Sequence, residues 1–133
     1  MVRFWDSSAL LATELEERTT SATRKLVADD PELVVWILSQ VETASALWRR
    51  WRSGEIPEAK RSEAQSRFDE IFSNAVTISD LSAAIPRARR LLGTHALRAA
   101  DALQLAAALL ACEDEPGRLR GRFGAVIRDE PLA

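Results

Sequence analysis

The strongest constraint on the fold is an alanine-rich segment near the end of the chain, LRAADALQLAAALLA at residues 97–111. Twelve of its fifteen residues are apolar, and seven of these are alanine. Its polar side chains, Arg98, Asp101 and Gln104, lie three positions apart. On a helix they form one stripe that covers about a third of the circumference. The segment therefore predicts a helix over Leu97 to Ala111 that is buried on most sides.

An acid on such a helix needs a partner, because an ionised carboxylate is costly to bury unless it is paired or binds a metal. One candidate partner of Asp101 is Arg98, one turn earlier. An i,i+3 ion pair of this kind stabilises an exposed helix by about 0.2–0.5 kcal/mol. The alternative is a cation that Asp101 shares with other acids, and the positions of those acids favour this second interpretation.

Composition limits the class of protein. A length of 133 residues predicts one domain over residues 1–133, and a net charge of −2 argues against a globally basic nucleic-acid binder. Cys112 is the only cysteine, which excludes an intrachain disulfide and a cysteine-based zinc site. The chain has no signal-peptide pattern and no apolar run long enough to span a membrane, so we expect a cytoplasmic protein.

Strand-like and helical segments alternate along the chain, which is typical of parallel βαβ units. The predicted fold class is α/β, with three layers and a central parallel sheet of about four strands flanked by helices. Gly54 and Gly93 are expected to end two of the helices. The predicted strands are Val2–Trp5, Leu33–Leu38, Val76–Ile78 and Phe123–Ile127, and the remaining predicted helices are Ala9–Glu17, Thr20–Ala28, Gln40–Ser53, Pro57–Phe72 and Ser82–Leu92.

Four acids occupy equivalent places in this pattern. Asp6 ends the first strand, Glu42 lies in the first turn after the second strand, Asp101 lies early in the buried helix, and Asp129 follows the last strand. Right-handed crossovers bring the carboxyl ends of parallel strands to one edge of the sheet. Two of the acids also have local explanations. Asp6 is a good helix N-cap, and the helix dipole favours Glu42 by about 0.3–1 kcal/mol.

Carboxylates gathered at one edge would repel each other, and a divalent cation would relieve this repulsion. Hard oxygen ligands suit Mg²⁺ or Mn²⁺. Such a site can activate a water and stabilise negative charge on a phosphate, which is the chemistry of phosphodiester hydrolysis. Trp48 and Trp51, among arginines, could stack on bases, although their helical spacing favours core or partner contacts.

Three segments carry a resemblance to a known family: VRFWDSSALL, VETASALWR and LRAADALQLAAALLA. Together they resemble the PIN-domain nucleases, and in particular the VapC toxins of toxin–antitoxin pairs. The resemblance implies Mg²⁺- or Mn²⁺-dependent cleavage of RNA. It assigns the principal acids to Asp6, Glu42 and Asp101, which would hold the metal, and a supporting hydroxyl to Ser8.

The segment AVIRDEPLA resembles the end of this family only loosely. Ile127 stands where threonine is usual, Asp129 would be the fourth catalytic acid, and the C-terminus is atypically short. The resemblance further implies a VapB-type antitoxin partner, a homodimer and a heterotetramer or larger assembly with the antitoxin, with DNA contacted only through the antitoxin. The alternative is a catalytically impaired PIN-like module that binds its antitoxin, and RNA, without turnover.

Overall fold

The computed structural model describes residues 3–15, 25 and 33–112. Within them, a parallel three-stranded sheet carries helices on both faces, which confirms the predicted α/β class. The predicted strand Phe123–Ile127 lies outside the described residues, as does the predicted helix Thr20–Ala28 apart from residue 25. The elements are β1 (Arg3–Phe4), α1 (Ser7–Ala12), β2 (Leu33–Trp36), α2 (Ser39–Arg52), α3 (Glu58–Asn74), β3 (Val76–Ile78), α4 (Leu81–Thr94) and α5 (Ala99–Ala111).

Strand β2 is the centre of the sheet, with β1 on one side and β3 on the other. Its four residues are all buried, as expected for a parallel strand covered on both faces. Alternate side chains enter different cores. Val34 and Trp36 pack with residues of α4 and α5, whereas Leu33 and Val35 pack with residues of α1, α2 and α3. The apolar run LVVWIL therefore fixes the three-layer arrangement, although its last two residues turn into α2 instead of extending the strand.

Helix α5 is the buried alanine helix that the sequence predicts. From Ala106 to Leu109 its side chains are at most 2% exposed, and they pack against the sheet and α4. It begins at Ala99 instead of Leu97, because Arg98 has extended backbone angles (φ −83°, ψ 164°) and is the N-cap. No helix in the described part of the chain is long and apolar enough to cross a membrane.

The two glycines behave differently at the helix ends. Gly54 follows α2 with a φ of 80°, the left-handed conformation that glycine adopts without strain, so the predicted end is confirmed. The prediction for Gly93 is wrong, because α4 continues through Thr94. The helix stops at His95, which turns to an extended conformation (φ −132°, ψ 141°).

Candidate active site

Asp6 lies at the carboxyl end of β1, where the chain turns into α1. It is 1% exposed and is the N-cap of the helix. Its Oδ1 accepts hydrogen bonds from the backbone N–H of Ala9 at 2.8 Å and from the hydroxyl of Ser8 at 3.0 Å. The capping role considered from the sequence is therefore present, and it fixes the carboxylate at this edge of the sheet.

Glu42 lies in the first turn of α2, next to the beginning of α1. The hydroxyl of Ser7 donates to its Oε2 at 3.1 Å, across 35 positions of the sequence. Because β1 and β2 are parallel neighbours, the helices that follow them begin at the same edge of the sheet. The structure thus brings the beginnings of α1 and α2 together as the sequence pattern predicts.

Gln104 joins α5 to the same place. It is 2% exposed, and its Nε2 lies 2.6 Å from Ser7 Oγ, 2.7 Å from Ser39 Oγ and 3.0 Å from Glu42 Oε1. One amide therefore contacts the first residue of α1, the first residue of α2 and the candidate acid of α2.

The surroundings of Glu42 raise the pKa of its carboxyl group above the ordinary value. Partial burial is the largest cause, and the charges of Asp101 and Asp6 act in the same direction. The hydrogen bonds from Gln104 and Ser7 oppose the shift, since they stabilise the ionised form. Burial thus contributes most to the raised pKa, and the smaller contributions of Asp101 and Asp6 place both of these charges near Glu42.

Asp101 lies in the first turn of α5, one turn before Gln104, and is partly exposed. The ion pairs among the described residues do not include one between Arg98 and Asp101, and the Arg98 side chain is exposed. The local ion pair considered as an explanation of Asp101 is therefore not formed. The charge of Asp101 instead acts on Glu42.

The three acids fit a divalent cation in their chemistry, because carboxylate oxygens suit Mg²⁺ and Mn²⁺ and each acid lies at the N-cap or in the first turn of a helix. Among residues 3–15, 25 and 33–112, no group of three or more His, Cys, Asp or Glu side chains is arranged to hold a metal ion. The acids are electrostatic neighbours and do not form a complete ligand set.

Two predictions concern supporting residues. The Ser8 hydroxyl donates to Asp6, and its supporting role in a metal site stays a prediction. Asp129 lies outside the described residues, so its role as the fourth acid stays a prediction.

The sequence reasoning missed Ser7, Ser39 and the contact role of Gln104. A signal for Gln104 was present in its position on the polar stripe of α5, one turn after Asp101. No comparable periodic signal existed for the two serines, because their contacts depend on how α1 and α2 meet.

The aromatic pair of α2 lies toward the opposite end of that helix from Glu42. Trp48 and Trp51 contact each other edge to face, with ring centroids 5.4 Å apart. The guanidinium of Arg61 lies 3.9 Å from the centroid of the Trp48 ring. One ring face is thus covered by an arginine of the same chain, which favours a packing role for Trp48 over base stacking.

Comparison with known proteins gives one family. The PIN domain family matches residues 3–114, a range that contains Asp6, Glu42 and Asp101. A search of curated proteins found no match.

Proposed function

The chain belongs to the PIN domain family, and from this premise we propose that it is a metal-dependent endoribonuclease. PIN domains are typically nucleases and generally use divalent metal ions. The observation that carries the proposal is the convergence on Glu42. Its pKa is raised by partial burial and, in the same direction, by the charges of Asp101 and Asp6, although the three residues are far apart in the sequence.

In the proposed mechanism, Asp6, Glu42 and Asp101 would hold Mg²⁺ or Mn²⁺ at the carboxyl edge of the sheet. A bound ion would supply Lewis acidity, which makes a water more nucleophilic and offsets negative charge on phosphate oxygens. The buried cap of α1 holds Asp6 in place, and Ser7 and Gln104 hold Glu42. Attack by the water oxygen would form a new P–O bond and break the bond to the leaving sugar oxygen, while the water gives up a proton to solvent and the leaving oxygen takes one up to become a hydroxyl.

The test is cleavage of RNA by the purified protein. We expect cleavage with added Mg²⁺ or Mn²⁺ and none with excess chelator. Asp101→Asn should lower the rate by at least about 100-fold, since loss of groups behind a metal ligand already costs 10–100-fold. Circular dichroism should show the same helix content as the native chain.

Asp69→Asn is the matched control for this substitution. Asp69 is an exposed acid on α3, where its Oδ1 accepts from the Gln65 amide at 2.9 Å, and it takes no part in the cluster. It should cleave RNA at the native rate. Equal activity in Asp101→Asn and Asp69→Asn would contradict the proposed mechanism.

A second candidate is a PIN-like module that binds a partner without turnover. It is suggested by the loose resemblance of the segment around Asp129 to the family and by the net charge of −2. Calorimetric titration with Mn²⁺ separates the two candidates, because the nuclease requires saturable binding that Asp101→Asn weakens. A chain without turnover at any metal concentration would support the second candidate.

We further propose that the nuclease is the toxin of a VapBC pair, acting in the cytoplasm as a homodimer held by a VapB-type antitoxin. Apolar side chains are exposed near the beginnings of α2 and α4, among them Val41 at 66% and Ile85 at 46%. Apolar residues that form a contiguous exposed patch are typical of surfaces that bind protein partners, and these positions are the candidates for such a patch. Light scattering at micromolar concentration tests the dimer, and a monomer alone would contradict it.

A further inference from the structure

The hydrogen bonds of Gln104 are arranged around Glu42 in a specific way. The amide donates to Glu42 Oε1 directly, at 3.0 Å. It also donates to Ser7 Oγ at 2.6 Å, and Ser7 in turn donates to Glu42 Oε2 at 3.1 Å. Both oxygens of the carboxylate are therefore held, one by the amide and one by the hydroxyl that the amide contacts.

The orientation of the amide is determined by the carboxylate. An ionised carboxylate only accepts hydrogen bonds, so the nitrogen side of Gln104 must face Glu42. An amide nitrogen carries two hydrogens, whereas three acceptors lie within 3.0 Å of it, so one hydrogen is shared. The donor side of the residue is fully used.

The acceptor side of Gln104 shows that stability alone does not explain the residue. Its Oε1 is buried and accepts no hydrogen bond within the described residues. A buried acceptor without a donor lowers stability, and an apolar side chain of the same shape would avoid this cost. Glutamine at position 104 thus provides a donor to Glu42 and, with it, a buried oxygen that lacks a hydrogen bond.

We propose that Gln104 is a positioning residue for Glu42: its amide, directly and through the Ser7 hydroxyl, sets the orientation in which the carboxylate meets a divalent cation. This inference rests on the proposed function. It assigns different roles to the two polar residues Asp101 and Gln104 of α5. Asp101 supplies a charge to the cluster, and Gln104 orders the acid on the neighbouring helix.

The test replaces Gln104 by methionine, which has a similar length and no donor. Mn²⁺ affinity, measured by calorimetry, should fall about 10- to 100-fold, as is typical when the residue behind a metal ligand is lost. The electron paramagnetic resonance spectrum of bound Mn²⁺ should also change at saturation. The melting temperature of the metal-free protein is a separate readout of stability, because losing the unsatisfied oxygen raises it whereas losing the donor to Ser7, Ser39 and Glu42 lowers it.

Thr43→Val is the matched control. Thr43 is fully buried and follows Glu42 in α2, and its hydroxyl donates to the backbone oxygens of Ser39 and Gln40 instead of to the Glu42 carboxylate. This variant should keep the native Mn²⁺ affinity and spectrum. A lower melting temperature with native Mn²⁺ affinity in Gln104→Met would show a merely structural role and overturn the proposal.

Ser7→Ala is a second variant, and it tests the relay. It removes one neutral donor and should weaken Mn²⁺ binding by about fivefold. Should Gln104→Met not fold, unchanged affinity in Ser7→Ala would overturn the proposal. If the native chain binds Mn²⁺ and cleaves RNA while Gln104→Met binds equally well, only this inference fails. If the native chain binds no Mn²⁺, the proposed function fails with it.

Discussion

Asp6 and Asp80 begin α1 and α4 with the same local chemistry. Each follows the last residue of a strand by two positions, and each is an N-cap. Asp6 Oδ1 accepts from the backbone N–H three residues on at 2.8 Å and from the hydroxyl two residues on at 3.0 Å. The corresponding distances for Asp80 are 3.1 Å and 2.8 Å. In their own turns, the two aspartates are almost indistinguishable.

The surroundings of the two caps differ completely. Asp6 is buried beside the beginnings of α2 and α5, whereas Asp80 is exposed at the beginning of α4. The residue that follows Asp6 is Ser7, which contacts Glu42, and the residue that follows Asp80 is Leu81, which is 46% exposed. An N-cap therefore depends only on the local sequence. Whether its carboxylate can also belong to an active site depends on the residues that pack around it.

The largest expected difference between the caps is in RNA cleavage. Asparagine caps a helix about as well as aspartate, so Asp6→Asn and Asp80→Asn both keep the cap and remove only the charge. Asp6→Asn should lower the cleavage rate by at least about 100-fold, as expected for a metal ligand, and Asp80→Asn should stay within about twofold of the native rate. Equal cleavage rates in the two variants would contradict the claim that Asp6, unlike Asp80, belongs to the active site.

The next difference is in stabilisation by metal. A ligand at 100 times its dissociation constant stabilises the folded state by about 2.7 kcal/mol. Thermal melting of the native chain and of Asp80→Asn should therefore shift upward with Mn²⁺, whereas Asp6→Asn should shift much less. A full shift in Asp6→Asn would show that Mn²⁺ binds elsewhere on the chain.

The smallest expected difference is in the pH dependence of stability. Its sign is opposite for Asp80 and for Glu42, the acid that lies near the Asp6 cap. The Ser82 hydroxyl and the backbone N–H of Ala83 hold the pKa of Asp80 below its ordinary value of 3.8. The stability that Asp80 contributes is therefore present above that value and lost as pH falls through the folded-state pKa. The pKa of Glu42 is raised above its ordinary value of 4.5 in the folded chain. The folded state therefore loses stability as pH rises from that ordinary value through the raised pKa, because ionisation is less favourable in the folded chain than in the unfolded one.

Urea unfolding with chelator between pH 3 and 8 measures both effects. Relative to the native chain, Glu42→Gln should gain stability as pH rises above about 4.5, because the amide has no charge to be desolvated by burial or to be repelled by Asp101 and Asp6. Asp80→Asn should lose stability relative to the native chain as pH rises toward 3.8. A parallel pH dependence in the two variants would contradict the assigned surroundings.

The comparison also explains what could be predicted from sequence. Periodicity and strand–helix alternation identified α5, the three described strands and the sheet edge where the acids lie, since these depend on local pattern and general topology. The stop at His95 instead of Gly93 depended on backbone choices that residue type does not fix. The contacts of Ser7 and Gln104 could not be predicted, because they require the relative placement of α1, α2 and α5.

The bond between Gln104 and Ser7 spans 97 positions of the chain, which has a consequence for biosynthesis. A ribosome delivers α1 and α2 long before α5, and a domain generally folds as a unit. Until α5 has been synthesised, Glu42 lacks the amide that contacts both it and Ser7. Closure of this polar junction therefore comes after synthesis of all three described strands of the sheet.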